Sequence, residues 1–213
     1  MPDKTASSTI FKKRLSSRDR MIITIAGMPG SGKSTLAREI AKYLKMKHYS
    51  MGDLQRQFAK ERRMTITELG IAEEKDPSLD NEIDSRQKEL GEKNDDFVID
   101  SRLGFHFIPH SFKIFLKVDM DVAARRIFIQ KRAEEKEVSL TEVKRKLLER
   151  IASEKKRYKA YYGIDHYALS NYDCVIDTTS LKVANCVKVL LTAIEKHKKK
   201  PSPPPVKRAK NSK

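Results

Sequence analysis

The glycine-rich segment at residues 27–34 carries the residue types best suited to chemistry in this chain of 213 residues. It reads GMPGSGKS and matches GxxxxGK[ST] at every fixed position. The glycines let backbone N–H groups turn inward around phosphate oxygens, while the lysine and the last serine suit terminal phosphates and a bound Mg²⁺ ion. The segment predicts a nucleoside triphosphate site formed by Gly27, Met28, Pro29, Gly30, Ser31, Gly32, Lys33, Ser34 and Thr35.

Arginines are the second group with chemical potential. A phosphoryl group in transfer spreads negative charge over its oxygens, and a guanidinium group matches phosphate geometry while staying charged. Arg56, Arg86 and Arg102 lie where a crevice above the carboxyl ends of strands would collect them. Three further charged residues are spaced four and three apart and therefore share one helical face: Arg150, Glu154 and Arg157. Together with the glycine loop, the arginines favour a phosphotransferase.

The elements around the glycine loop predict an α/β fold. Residues 21–26 form an apolar run typical of a strand buried on both faces, and apolar residues at helical spacing follow the loop. Further strands are predicted at 97–100, 112–118 and 173–177, with helices at 53–62, 65–75, 78–90, 121–132, 139–161 and 180–197. Such alternation predicts a three-layer fold, the architecture of P-loop NTPases, with a parallel sheet of about five strands.

The net charge of +16 lies mostly at the two ends of the chain. Residues 1–20 carry +4 and residues 196–213 carry +8, so the part between them is only mildly basic. We expect both ends to be disordered, solvated tails, with weak nucleic-acid contact as the alternative. The sequence has two cysteines, no apolar run long enough to span a membrane and no signal sequence. These features favour a cytosolic protein with reduced thiols. The five histidines show no metal-ligand spacing.

Several stretches resemble the nucleoside monophosphate kinases, most closely the cytidylate kinases of archaeal type. The resemblance runs from residue 21 to about residue 179, through AGMPGSGKST, YSMGDLQR, DPSLDNEIDSRQ, VIDSRL, SEKKRYKAYYGID and LSNYDCVIDTT. It implies a kinase domain at 21–197, with acceptor-binding helices at about 50–92 and a lid at about 126–150. Residues 1–20 and 198–213 are then basic extensions, and the monomeric state common among small kinases is the expectation by analogy.

The resemblance also implies roles for single residues in ATP-dependent phosphorylation of CMP, and of dCMP, with Mg²⁺. Lys33 would neutralise the transferring group, and Ser34 and Asp100 would hold the metal. Arg102, Arg150 and Arg157 would act beside Lys33 in catalysis, and Arg126 and Arg132 would close over ATP. The acceptor site would consist of Ser50, Gly52, Arg56, Arg86, Asp100, Arg102 and Glu154.

Ser101 departs from the pattern, because the family usually has glycine there. If the backbone at this position approaches a phosphate or takes a positive φ, the side chain costs about 1 kcal/mol and loosens the acceptor site. The acceptor therefore stays open at this point. A P-loop kinase for UMP, AMP or an RNA 5′ end is one alternative, and a nucleotide-binding regulator with RNA affinity is another.

Overall fold

A parallel sheet of five strands forms the centre of the protein in the computed structural model. The strands are β1 (Ile22–Gly27), β2 (Lys47–Ser50), β3 (Phe97–Asp100), β4 (Phe112–Lys117) and β5 (Cys174–Asp177), in the spatial order β2-β3-β1-β4-β5. The structure describes residues 20–76, 78–130 and 139–198. Three of the predicted features lie outside these residues: Arg132, the middle of the lid and most of both tails.

Eight helices surround the sheet within the described residues. They are α1 (Lys33–Leu44), α2 (Met51–Glu61), α3 (Ile66–Lys75), α4 (Ser78–Lys93), α5 (Gly104–Phe107), α6 (Met120–Gln130), α7 (Leu140–Tyr162) and α8 (Val183–Lys198). A capping box begins α3, since the Thr65 side chain accepts from the Glu68 N–H and the Glu68 side chain accepts from the Thr65 N–H. The predicted three-layer α/β fold is confirmed.

The central strand β1 is buried on both faces, because helices pack against the sheet on each side of it. All six residues of β1 are buried, and Ile23 and Ile25 pack with α1 and α8 on one face. Ile22 packs on the other face with residues of α2 and β3, including Phe58 and Phe97. This burial on both sides explains why the strand reads as a continuous apolar run rather than an alternating one.

The strand order creates a crevice at the carboxyl ends of the strands. The chain leaves β1 through α1 toward β2 on one side, whereas β4 and β5 lie on the other side of β1. Open α/β sheets bind their ligands outside the carboxyl ends of the strands, where the strand order reverses. The glycine loop at the end of β1 therefore stands at this point. In the described residues we found no helix with both the length and the apolar character needed to cross a bilayer.

The close approach of Gly27 to β4 generates a stability prediction. Gly27 has φ +150°, and a Cβ atom there would lie 2.4 Å from the Leu116 carbonyl oxygen. We expect Gly27→Ala to lower the free energy of unfolding by about 3 kcal/mol, through backbone strain and a clash with backbone. Gly163→Ala is the matched control, because Gly163 has φ +70° but open space around its Cβ position. It should cost only about 1 kcal/mol in urea denaturation, and equal losses in the two variants would contradict this account.

Candidate active site

A backbone hydrogen bond fixes the position of the glycine loop. Met28 donates its N–H to the Leu116 carbonyl at 3.0 Å, which fixes the loop against β4. Gly32 is the N-cap of α1 with φ +87°, and no described side chain caps this helix end. The first N–H groups of a helix have no partner within the helix, and their dipoles favour an anion. The loop and the start of α1 therefore form a phosphate-binding cradle.

Lys33 lies folded into this cradle. Its ammonium group donates to the carbonyl oxygens of Gly27 at 2.9 Å and Met28 at 3.1 Å. Burial, and next the positive charge of Arg102, lower the pKa of Lys33 to about 7. The amine is thus poised between its charged and neutral forms at neutral pH, and a phosphate beside it would favour the charged form.

Three hydrogen bonds converge on the carboxylate of Asp100 at the end of β3. Ser34 donates to Oδ1 at 3.2 Å and Ser50 donates to the same oxygen at 3.1 Å, while His48 Nε2 lies 2.8 Å from Oδ2. Strand register explains the arrangement, since Ser50 of β2 stands opposite Asp100 and Ile25 of β1 stands on its other side. The sequence analysis grouped Ser34, Ser50 and Asp100 in the site but missed His48.

This oxygen cluster fits Mg²⁺. The hydroxyl of Ser34 and the carboxylate of Asp100 are hard oxygen donors at the mouth of the phosphate cradle. In the described residues no set of three or more His, Cys, Asp or Glu side chains could hold a metal. Such a set is not needed, because Mg²⁺ is usually held by one or two protein oxygens together with water and substrate phosphates.

Glu154 on α7 gathers two of the predicted arginines. Its carboxylate accepts from Arg102 Nε at 2.6 Å and from Arg150 Nε at 2.9 Å, and it is only 5% exposed. Burial acts to raise the pKa of Glu154, but Arg102, His166 and Arg150 together hold it well below its usual range. Glu154 is therefore ionised, and it fixes the two guanidinium groups beside each other.

One cleft of about 360 Å³ joins the phosphate cradle to this arginine group. Eleven of the predicted site residues line it: Pro29, Gly30, Gly32, Lys33, Ser34, Thr35, Gly52, Arg56, Asp100, Arg102 and Arg150. Gly27, Met28 and Ser31 complete the loop without lining the cleft, and Ser50 is hydrogen-bonded to Asp100.

Four further predicted residues also lie outside the cleft lining. Arg86 is exposed on α4, and Arg126 donates to the Thr178 carbonyl at 2.7 Å. Arg157 is 3% exposed and pairs with Glu73 of α3 at 2.6 Å, in a second pocket of about 240 Å³. Glu154, expected in the acceptor site, lines that second pocket, and both of its carboxylate oxygens accept from arginines. Arg157 and Arg86 therefore lie outside the cleft lining. The catalytic role suggested for Arg157 and the acceptor contact suggested for Arg86 stay predictions.

The cleft also contains residues that sequence reasoning missed. They are Arg38, Met51, Gln55, Asp84, Gln87, Leu103, Ile127, Gln130 and Tyr158. Cation chemistry favours Arg86 on this helix, but Asp84 and Gln87 are three residues apart and share a helical face on which Arg86 does not lie. Tyr158 is buried and lines the cleft as well.

Ser101 fits its position without the strain considered above. Among the described non-glycine residues, only Lys45 and Arg63 have a positive φ. The Ser101 N–H donates to the Ile25 carbonyl at 3.1 Å, and its hydroxyl donates to Gln87 Oε1 and accepts from the Leu103 N–H. The side chain that replaces the usual glycine thus adds hydrogen bonds inside the cleft wall.

Comparison with known proteins places this site in a family. The sequence model of the Cytidylate kinase-like family matches residues 22–180. The chain belongs to this family. A cytidylate kinase of Methanosarcina acetivorans is 41% identical over 178 residues, covering 82% of this chain and 97% of that protein. That of Methanosarcina barkeri is 36% identical with the same coverage. The resemblance to archaeal-type cytidylate kinases is confirmed, and this family member is an enzyme of the nucleoside monophosphate kinase class.

Solved structures share the fold of this family member. An uncharacterised protein from Eubacterium ventriosum gives a TM-score of 0.63 at 17% identity and covers 83% of this chain and 99% of its own. A shikimate kinase from Bacteroides thetaiotaomicron gives 0.59 at 17% identity and covers 82% of this chain and 98% of its own. At this identity the likeness concerns the fold alone.

The lowered pKa of Lys33 predicts proton uptake when a nucleoside triphosphate binds. At pH 8 the free protein holds Lys33 mostly neutral, because its pKa is about 7. Phosphate charge in the cradle raises that pKa, so binding at pH 8 should take up a substantial fraction of one proton, and binding below about pH 6 should take up none. Calorimetric titration in buffers of different ionisation enthalpy measures the uptake. Lys33→Met is the control, and uptake that persists in this variant at pH 8 would refute the assignment to Lys33.

Proposed function

We propose that this enzyme transfers the terminal phosphoryl group of ATP to CMP, and to dCMP, and forms the nucleoside diphosphates. The observation that carries the proposal is the single cleft in which the phosphate cradle faces Arg56, Arg102 and Arg150. A kinase for a phosphorylated acceptor needs two phosphate sites within one water-excluding space. The curated relatives named cytidylate kinase support CMP as the acceptor.

The donor side of the cleft binds the triphosphate through the backbone. The N–H groups of the loop and of the first turn of α1 cradle its phosphates, and Lys33 moves from the Gly27 and Met28 carbonyls to the terminal oxygens. Ser34 and Asp100 would hold Mg²⁺, which neutralises charge on the phosphate oxygens when bound. Arg126 donates hydrogen bonds to the segment after β5 and so fixes this segment on the donor side of the cleft.

The acceptor side fixes the attacking phosphate. Arg56 of α2, Arg102 after β3 and Arg150 of α7 come from three separate elements and meet at the cleft. Their guanidinium groups offset the repulsion between donor and acceptor phosphates and align the acceptor oxygen for in-line attack. Positioning and electrostatics suffice for the transfer, so no covalent enzyme intermediate is required.

The division of the chain belongs to the same proposal. The kinase domain spans 21–197, with acceptor-binding helices at about 50–92 and a lid at about 126–150 that excludes water from the cleft. The basic segments 1–20 and 198–213 are accessory, solvated extensions, with weak nucleic-acid contact as the alternative. We further propose that the enzyme works as a cytosolic monomer.

An acceptor panel tests this function. With Mg²⁺ and ATP, we expect rapid ADP release in a coupled assay with CMP and dCMP, and little with UMP, AMP, an RNA 5′ end or no acceptor. If ADP release is confined to AMP or to RNA ends, that compound and not CMP is the acceptor. If no acceptor increases ADP release, the function as a nucleotide-binding regulator is favoured instead. Removing 1–20 and 198–213 should leave the CMP rate unchanged if the tails are accessory.

Lys33→Ala should lower the turnover with CMP by at least about 10³-fold, since it removes the cation nearest the transferring group. Lys42→Ala is the matched control, because Lys42 is an exposed lysine on the same helix. It should keep the wild-type rate. Near-normal turnover of the Lys33 variant would falsify the phosphoryl-transfer assignment.

A further inference from the structure

One wall of the cleft is polar and contains none of the proposed phosphate-binding cations. It consists of Asp84 and Gln87 on α4 and Ser101 after β3, and all three line the cleft while being 7%, 2% and 5% exposed. Burying a carboxylate and a carboxamide costs free energy unless they make hydrogen bonds. None of the roles assigned above for phosphate or metal binding uses Asp84 or Gln87.

The hydrogen bonds of this wall fix which atoms point where. The Ser101 hydroxyl accepts from the Leu103 N–H at 3.2 Å and donates to Gln87 Oε1. The Gln87 amide nitrogen is thereby turned toward Asp84 and donates to its Oδ1 at 3.4 Å. Tyr162 of α7 donates to Asp84 Oδ2 from the other side. The carboxylate and the amide nitrogen are thus oriented side by side.

Both groups keep hydrogen-bonding capacity for a ligand. An ionised carboxylate offers about four lone-pair sites, and a carboxamide nitrogen carries two hydrogens, so the bonds just described use only part of each. Burial raises the pKa of Asp84 to about 6, against the hydrogen bond from Tyr162, which lowers it. At neutral pH the group is therefore mainly a carboxylate, an acceptor beside the amide donor of Gln87.

We propose that Asp84 and Gln87 read the base of the acceptor nucleotide and favour cytosine over uracil, through the edge on which an amino group stands beside an unprotonated ring nitrogen. This inference rests on the proposed function. For cytosine, the exocyclic amino group donates to the Asp84 carboxylate and the neighbouring ring nitrogen accepts from the Gln87 amide. The faces of the ring would lie against Met51 and Tyr158, which also line the cleft.

Uracil reverses this pattern. It presents a carbonyl oxygen where cytosine has the amino group, and an N–H where cytosine has the ring acceptor. The carbonyl would face the carboxylate and the N–H would face the amide donor, which leaves buried polar groups unpaired. A site built to hydrogen-bond a substrate group rejects analogues that lack it far more strongly than a missing methylene is rejected.

Ser101 acquires a role in this arrangement as a positioning residue. Its hydroxyl donates a hydrogen bond to the Gln87 side-chain carbonyl oxygen, and this bond keeps the Gln87 amide nitrogen oriented toward Asp84 and the base. A glycine at this position would leave the carboxamide free to turn over. The departure from the family pattern then sharpens the choice of base instead of loosening the acceptor site.

The ratio of kcat/KM for CMP to kcat/KM for UMP tests the proposal in the full-length enzyme. In wild type we expect CMP to be favoured by at least about 100-fold. Asp84→Asn replaces the paired acceptor by a group that can also donate, and it should lower the ratio at least about 20-fold while the KM for ATP stays within about twofold. Tyr162→Phe removes a bond that lowers the pKa of Asp84, so the comparison is made at about pH 8.5, where Asp84 stays ionised and the variant should retain most of the ratio.

The outcomes separate this proposal from the proposed function. A wild-type enzyme that forms no CDP from CMP refutes the proposed function. A wild type that forms CDP without preferring CMP over UMP, or an Asp84→Asn enzyme that loses activity equally with both, overturns the reading of the base alone. If Asp84→Asn does not fold, Ser101→Ala decides: a fall of about threefold or more in the ratio supports the proposal, and an unchanged ratio refutes it.

Discussion

The crowding of positive charge at one place is the constraint on which the rest of the structure depends. Lys33, Arg102 and Arg150 must lie close together to bind phosphates, yet they repel one another before any phosphate arrives. Glu154 relieves this repulsion by pairing with both arginines, and Asp100 adds a second negative charge near Lys33. Among the described residues Lys33 donates to carbonyl oxygens and not to a carboxylate, and burial, followed by the charge of Arg102, lowers its pKa.

Much of the fold could be predicted from the sequence because local patterns decide it. The apolar run of β1, the glycine loop and the helical spacing after it fix the first strand–loop–helix unit, and the same alternation recurs along the chain. Strand β2 was harder to recognise, since it has only four residues at the edge of the sheet, and none of them is fully buried. Its composition therefore carries little of the apolar signal that marks the central strands.

The candidate site could be predicted only where residue type and spacing agree. The loop from Gly27 to Thr35 is contiguous, so its members are found together. For residues from distant segments, the neighbours in space decide the role, and the sequence does not show these neighbours. Arg157 pairs with Glu73 outside the cleft lining, and Arg86 is exposed although the next residue, Gln87, is buried. His48 gave no signal at all, since only the pairing of β2 with β3 brings it to Asp100.

Helix α7 gives the enzyme a mechanical property. It is unbroken over 23 residues, about 34 Å, and ends at Gly163, whose φ of +70° turns the chain sharply. Arg150 and Glu154 in its middle contact the cleft wall, Arg157 contacts α3, and Tyr162 near its end contacts α4. Because these contacts lie along one unbroken helix, a shift of α3 or α4 would be carried directly to Arg150 and Glu154 at the cleft.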